Sequence, residues 1–461
     1  MRITLLLFFG LSVYSQKTLA QTFTVVDSLP VGAYGTAAWG DFDGDGREDL
    51  AYITQTATAG QPDIFNVYHN TPSGLVKLPH SFMHLYTPAA VWGDLNNDGK
   101  EDLVVSGMKN TTLESVIQIF QSHGNGSFTL INDTLEGLSI GSLDIADYDN
   151  DGLKDIAACG YTNASDIVSV IYRNKGGFQF EDIHASLQGS SGGELRWCDY
   201  DKDGKQDLAI SGLYAGTSRT LIYHNEGNDS FLLVSPYMKG GSGTLDWIDY
   251  DSDGFLDLLT AGVDSSGAHN YTDLYRNNGN GSFTKLTNFN PPKFGEPVAT
   301  DVADFDGDGK TDIWFAGGND SFFLFSAYAR NTGTPLFSFS PVYKTDIQNC
   351  IVAAADIDGD GDQDLLLSNF ILRNNGATGL NDRAQQMKVA LYPNPAKDKL
   401  FVTGTTHTLH AVLYSSAGIK LMETDVRGGA AIDVSRYAPG VYMLLLSDNK
   451  STLMKHIVIE H

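Results

Sequence analysis

The sequence predicts an all-β chain in which a seven-bladed β-propeller, residues 21–376, precedes a small Ig-like β-sandwich, residues 389–461. Three observations predict it. A nonapeptide, Asp-x-Asp/Asn-x-Asp-Gly-x-x-Asp followed by an apolar residue, begins at Asp41, Asp94, Asp147, Asp199, Asp249, Asp304 and Asp356, at intervals of 53, 53, 52, 50, 55 and 52 residues. Around every copy the same short apolar and aromatic segments recur, and four strands per ~50 residues is the periodicity of propeller blades. The seventh repeat stops after its third segment, Phe370 to Gly376, while Thr22-Phe23-Thr24-Val25-Val26 is strand-like with no repeat before it. Pairing the two would complete the last blade and cover an open strand edge.

A chain of 461 residues is too long for one ordinary core, which a repeat architecture answers. Its 42% apolar content, with 24 Phe, 21 Tyr and 5 Trp, excludes a disordered chain. Acidic side chains number 56 against 30 basic ones, a net charge of -26 that argues against nucleic acid as a partner. The motifs alone supply 27 of the 56 acids, and the remaining 29 nearly balance the 30 Lys and Arg. The charge therefore has an address, and the rest of the surface is close to neutral.

Residues 1–20 read as a signal peptide: Arg2, an apolar run from Ile3 to Val13, then Thr18-Leu19-Ala20 before Gln21. That run of about 11 residues is too short to cross a ~30 Å hydrocarbon layer, so no transmembrane segment is expected. Cys159, Cys198 and Cys350 lack metal or redox spacing and fall in strand-like stretches. They are expected as small buried hydrophobes, with a Cys159–Cys198 bridge left open.

Within each blade, the first strand places Trp39, Trp92, Ile145, Trp197, Trp247, Val302 or Ala354 two residues before the motif. The four tryptophans are expected to be a packing layer. An apolar second strand follows the motif, as in Leu103-Val104-Val105. The third ends in Tyr172-Arg173-Asn174, Tyr223-His224-Asn225 or Tyr275-Arg276-Asn277, and the fourth resembles Gly281-Ser282-Phe283-Thr284. His69 and His224 share a repeat position with Arg173, Arg276 and Arg330, which assigns them to blade architecture.

The motif's chemistry is that of a hard-cation loop. Side chains at positions 1, 3, 5 and 9 would converge, and four anionic groups so close repel strongly unless a cation joins them. They are Asp41, Asp43, Asp45 and Asp49; Asp94, Asn96, Asp98 and Asp102; Asp147, Asp149, Asp151 and Asp155; and Asp199, Asp201, Asp203 and Asp207. The last three sets are Asp249, Asp251, Asp253 and Asp257; Asp304, Asp306, Asp308 and Asp312; and Asp356, Asp358, Asp360 and Asp364. Oxygen-only donors, with glycine at position 6 for the sharp turn, favour Ca2+, up to seven ions in a structural role. Asn96, an amide in place of a carboxylate, predicts a weaker second site. An EF-hand is excluded because position 12 holds Tyr52, Val105, Ala158, Ile210, Thr260, Phe315 or Leu367 instead of Glu. The repeats resemble FG-GAP/VCBS-type blades, as in integrin α-chain propellers and many exported bacterial proteins. That resemblance implies calcium held by the four side chains and by the carbonyl of position 7.

After Gly376 the composition changes. A polar linker, 377–388, leads into Val389-Ala390-Leu391-Tyr392-Pro393-Asn394-Pro395, and strands are expected at Lys399–Thr403, Ala411–Tyr414, Ala431–Val434, Val441–Ser447 and Met454–Ile459. Tyr392-Pro393-Asn394-Pro395, Leu413-Tyr414 with Gly418, Ala438-Pro439-Gly440-Val441-Tyr442 and Lys455-His456-Ile457-Val458 resemble the C-terminal type A sorting domain of the type IX secretion system. The resemblance implies a diderm bacterium of the Bacteroidetes type, docking to that secretion machinery, and cleavage of the domain at the cell surface. The destination would be secreted or surface-held.

No nucleophile elbow, phosphate loop or His–metal spacing is present. The face opposite the loops carries Tyr34, Tyr86, Tyr161, Tyr214, Tyr237 and Tyr271, and Asp144, Arg196, Asp246 and Asp301 lie three residues before their motifs, facing the central channel. Two functions follow: a surface or secreted binding and adhesion module for a glycan or protein ligand on that face, or a carbohydrate-active, polysaccharide lyase-like enzyme. The features repeat from blade to blade rather than specialising, which favours binding.

Overall fold

The computed structural model describes residues 21–377 and 390–460, apart from 33–34, 56–63, 81, 133–134, 215, 265, 267–268, 319–323, 334–336, 340–349, 404–407, 416–419, 428–429 and 448–451. The expected signal peptide and nearly all of the linker lie outside these residues. The chain divides into two compact units, Met1–Ala377 and Thr378–His461.

The first unit holds seven four-stranded antiparallel sheets, propeller-like blades. In blade 1 the strands are Gly35–Gly40, Asp49–Thr54, Ile64–Thr71 and Gly74–Lys77, ordered as in the sequence. Blades 2 to 6 repeat this order. Blade 7 is completed from the other end of the chain: Val352–Ala355, Asp364–Leu367 and Phe370–Ala377 are joined by Gln21–Ser28, which pairs antiparallel with Phe370–Ala377. First strands touch first strands around the circle, and blade 7 meets blade 1.

The cores lie in the seams between blades. Second strands are buried on both faces, which is why Asp49–Thr54 and Asp312–Gly318 read as unbroken buried runs rather than alternating ones. Phe42, Ile53 and Phe65 of blade 1 pack with Trp92, Leu103 and Phe120 of blade 2. Leu50 and Tyr52 pack with Ile351, Leu366 and Ile371 across the closing seam. Fourth strands face outward and leave Val25, Val26, Val76 and Leu232 at least half exposed.

Trp92, Trp197 and the partly buried Trp247 pack against ring residues of the preceding blade's loop: Phe42 at 6.4 Å, Tyr148 at 6.0 Å and Tyr200 at 6.4 Å. The indole N–H of Trp39 donates to the Ala353 carbonyl (3.2 Å) and that of Trp92 to Ala38 (3.0 Å), again in the preceding blade. The packing layer is thus a seam. All three cysteines are free, so the Cys159–Cys198 bridge is not formed; Cys159 and Cys198 are buried in strands as expected, whereas Cys350 precedes its strand and is only half-buried.

The second unit is a small β domain of two sheets. Ala390–Tyr392, Lys399–Thr403 and Ala431–Asp433 form one; Lys420–Arg427, Thr408–Ser415, Gly440–Ser447 and Thr452–Ile459 form the other. Leu400, Val402, Leu413, Ile432, Leu444 and Ile457 share one apolar cluster. Lys420–Arg427 was not expected from sequence. It is an edge strand with four charged residues among eight, a composition that suits a sheet edge and hides its periodicity.

Candidate metal centres

Each motif connects the first and second strands of its blade, and its backbone folds around its own carboxylates. In loop 1 Asp41 accepts at Oδ1 from the N–H groups of Gly44 (2.7 Å) and Asp45 (3.1 Å), and at Oδ2 from Gly46 (2.8 Å). Asp43 Oδ1 accepts from Asp45 (3.2 Å) and Asp45 Oδ1 from Arg47 (2.9 Å). The pattern recurs in loop 3 with Asp147, Asp149 and Asp151, and in loop 6 with Asp304, Asp306 and Asp308. Asn96 keeps it in loop 2, accepting from the Asp98 N–H at 2.9 Å.

Glycine at position 6 is required by conformation rather than space. Gly46, Gly152 and Gly361 adopt φ of 86°, 88° and 93°, and a Cβ there would meet nothing within 4 Å. Position 4 is also left-handed, at Asn97, Asn150, Lys202 and Ser252, a demand that the motif did not reveal.

The four donor positions differ systematically in burial. Position 1 is half-buried in all seven loops and position 5 exposed in all seven. Position 3 is half-buried except at Asp251, and position 9 is fully buried: Asp49, Asp102, Asp155, Asp207, Asp257 and Asp312 are 0% exposed and Asp364 1%. Burial pushes these last carboxyls up, opposed by backbone N–H donors and reinforced by neighbouring loop carboxylates. Asp49 reaches about 8, Asp155, Asp207, Asp257 and Asp312 about 7, and Asp102 and Asp364 about 6. A cation would relieve that penalty. Three of the converging groups are all oxygen: ligand atoms of Asp41, Asp43 and Asp49, of Asp147, Asp149 and Asp155, and of Asp199, Asp201 and Asp203 lie within 4.8 Å of one another. Such all-oxygen sets fit a hard divalent ion.

A residue that sequence reasoning named without a role ties every loop to its neighbours. The last residue of the Tyr-Arg-Asn segment donates its backbone N–H to the position-9 carboxylate, as Asn70 to Asp49 (2.7 Å) and Asn277 to Asp257 (2.8 Å). Its side-chain amide then reaches the carbonyl of position 2 in the preceding blade: Asn174 to Leu95, Asn225 to Tyr148, Asn277 to Tyr200, Asn331 to Tyr250 and Asn374 to Phe305, all at 2.7–2.8 Å. Asn70 reaches Ile357 at 2.7 Å across the closing seam, and in blade 2 Ser122 Oγ takes the same place, 2.7 Å from the Phe42 carbonyl. Recurrence of the asparagine at one offset was the available signal.

The preceding third-strand residue also touches the loop, which sharpens its assignment to blade architecture. Arg173 Nε lies 2.9 Å from Asp149 Oδ2, Arg276 Nε 2.8 Å from Asp251 and Arg373 Nε 2.8 Å from Asp358, and Arg330 pairs with Asp306. His69 Nε2 stands 3.0 Å from Asp43 Oδ2 and His224 Nδ1 3.3 Å from Asp201 Oδ2. Gln121 occupies this position only where position 3 is the neutral Asn96.

The channel residues are used as seams too. Asp144 accepts from its own Ile145 N–H and from Trp197 N–H of the next blade (2.8 Å), and Asp301 from Val302 and from Ala354 (2.7 Å). Asp246 bonds to Thr300 of the next blade. Glu194, missed in the sequence, accepts from Leu245 N–H (3.0 Å) and Thr244 Oγ1 (3.1 Å) and lies 3.3 Å from Arg196. Burial opposes the charge of Arg196, but Glu194, Asp144, Asp246 and Asp301 outweigh it and hold the guanidinium above its usual range. Glu194 and Arg196 line a cavity of about 240 Å³. On the opposite face, Tyr214 is 39% exposed and Tyr271 only 3%; Tyr86 and Tyr161 are half-buried, Tyr34 lies outside the described residues, and the Tyr237 side chain is not among those described.

Among the described residues, no helix is long and apolar enough to cross a membrane. No curated protein matches the chain in sequence. Among the solved structures that resemble it at low identity are two lyases. A rhamnogalacturonan lyase of Bacillus licheniformis shares 13% identity over 78% of this chain and 76% of its own, with a TM-score of 0.42. Rhamnogalacturonan lyase YesW shares 12% over 95% and 92%, with a TM-score of 0.35. Neither likeness is close enough to fix fold or activity. A family model described as FG-GAP-like repeat matches residues 41–105, 94–158, 147–210, 249–315 and 304–367, and one described as secretion system C-terminal sorting domain matches 390–460. The sorting domain implies engagement of the secretion machinery and secretion or display at the cell surface. With these matches added to the repeated loops and blades, the chain belongs to the FG-GAP-like repeat family and ends in a secretion system C-terminal sorting domain.

Proposed function

We propose that residues 21–376 form a calcium-clipped seven-bladed β-propeller, followed after a linker, 377–388, by an Ig-like sandwich, 389–461, and that the propeller serves outside the cell as a binding or adhesion module for a glycan or protein. One observation carries the reading. The position-2 carbonyl of each loop is the acceptor for the next blade's third-strand Asn or Ser, so fixing a loop fixes a seam. The acidic loops then serve the ring, and recognition is left to the opposite face. Calcium in each loop would be held by the side chains of positions 1, 3, 5 and 9 and by the position-7 carbonyl, up to seven ions. The ions would supply charge neutralisation and rigidity, while the protein's own N–H groups hold the carboxylates in place.

A glycan array probed with the full chain in calcium and in EDTA tests the module. Binding to a glycan class in calcium, lost in EDTA, is expected for glycan recognition. Silence in both conditions removes the glycan version and leaves a protein ligand.

A further inference from the structure

Two of the seven loops differ from the rest in chemistry. In loops 3, 5, 6 and 7 the third-strand residue facing position 3 is an arginine, which can only donate. In loops 1 and 4 it is a histidine. Ligand atoms of Asp43, Asp45 and His69 lie within 4.8 Å of one another, as do those of Asp201, Asp207 and His224. His224 Nδ1 stands 3.3 Å from Asp201 Oδ2 and 3.1 Å from Asp207 Oδ1, and His69 Nε2 stands 3.0 Å from Asp43 Oδ2. A tetrahedral zinc site with bonds of about 2.0–2.1 Å has ligand-to-ligand edges of about 3.3 Å, close to these separations. Both imidazoles are sheltered, with side chains 30% and 20% exposed, and Asp207 is fully buried.

We propose that loops 1 and 4 are mixed imidazole–carboxylate sites for a borderline divalent ion of the zinc type, and that the other five are oxygen-only. A neutral imidazole offers a lone pair where arginine offers N–H groups, and imidazole nitrogen shifts selectivity from hard ions towards zinc. His69 with Asp43 and Asp45 would hold one ion, and His224 with Asp201 and Asp207 the other. These carboxylates also belong to the calcium sets proposed above, so each of the two loops holds one ion at a time. This exclusivity, unlike the zinc assignment itself, rests on the calcium reading.

The test is metal counting on the full chain after dialysis, with zinc alone, calcium alone and both together. The expected result is two zinc ions retained in the presence of calcium and two fewer calcium ions than without zinc. His69→Gln and His224→Gln should each lose one zinc, and the double variant both. Glutamine is what blade 2 itself carries at this position, and a thermal melt of each variant in calcium checks that the ring is intact. Cobalt substitution gives a second readout: a visible ligand-field band that the double variant lacks. Retention of no zinc, or equal retention by the folded double variant, overturns the proposal; in the first case His69 and His224 act only as ion-pair partners. Zinc bound without any calcium uptake would leave this proposal standing and sink the calcium reading.

Discussion

Carboxylates crowd two places in the ring, the seven loops and the central channel, and the backbone that holds them differs. In a loop, Asp41 or Asp147 is held by N–H groups of its own turn, so that its acceptor capacity converges on one point. In the channel, Asp144, Glu194 and Asp301 each reach N–H groups of the next blade. The same side chain is prepared for an ion in the first setting and spent on a joint in the second. Sequence distance separates them: the position-1 carboxylate of a loop accepts from residues three to five positions on, whereas each of these channel carboxylates also reaches a residue more than fifty positions away.

The largest expected effect comes from removing calcium. A site with a Kd of ~0.1 mM contributes about 1.4 kcal/mol at about 1 mM calcium. Several sites acting together should lower Tm by roughly 10 °C or more in EDTA. An unchanged melt after verified metal removal would break the distinction between loops and channel. pH sharpens it. Without metal, the position-9 carboxyls keep a proton in the folded ring up to about pH 6–8, whereas the unfolded chain releases it near pH 4. The native state binds more protons in that window, so stability in EDTA falls as pH rises through it. In calcium the ion replaces the proton, and Tm should hold or rise over the same range. Parallel pH profiles in the two conditions would overturn the assignment of position 9.

Single substitutions come next. Asp257→Ala leaves the N–H groups of Asn277 and Tyr250 without their acceptor and removes a ligand, and should cost about 2–4 kcal/mol and one calcium. Asp301→Asn retains one acceptor oxygen, and should cost about 1–2 kcal/mol with the calcium count unchanged. Denaturant melts with metal counting separate the two. Asn96→Asp should have the smallest effect, tightening the second site a few-fold in calcium while lowering stability in EDTA by under about 1 kcal/mol, because Gln121 brings no positive charge to balance the new carboxylate.

Much of this was legible in the sequence, for physical reasons that can be named. The blades announced themselves because each strand set repeats around an Asp-Gly turn, and Gln21–Ser28 because a ring leaves no strand unpaired. Lys420–Arg427 was not legible, since a charged edge strand has no buried face to impose alternation. Asn70 and its counterparts stood in plain view in the repeat, yet their role spans a seam. The acceptor of Asn70 is 287 residues away, and no local pattern encodes such a pairing. The channel acids were found by position and expected to face the channel, but their role in the seams was not legible, because the backbone N–H groups that occupy them belong to the next blade.

The shared seventh blade has a consequence for how the ring comes into being. Thr24 and Asn375, bonded across its last two strands, are 351 residues apart. A strand translated early waits for a partner translated after six blades, and the chain must order everything between them before that contact gains anything. Until this closing joint forms, one blade offers an open edge to any other chain nearby.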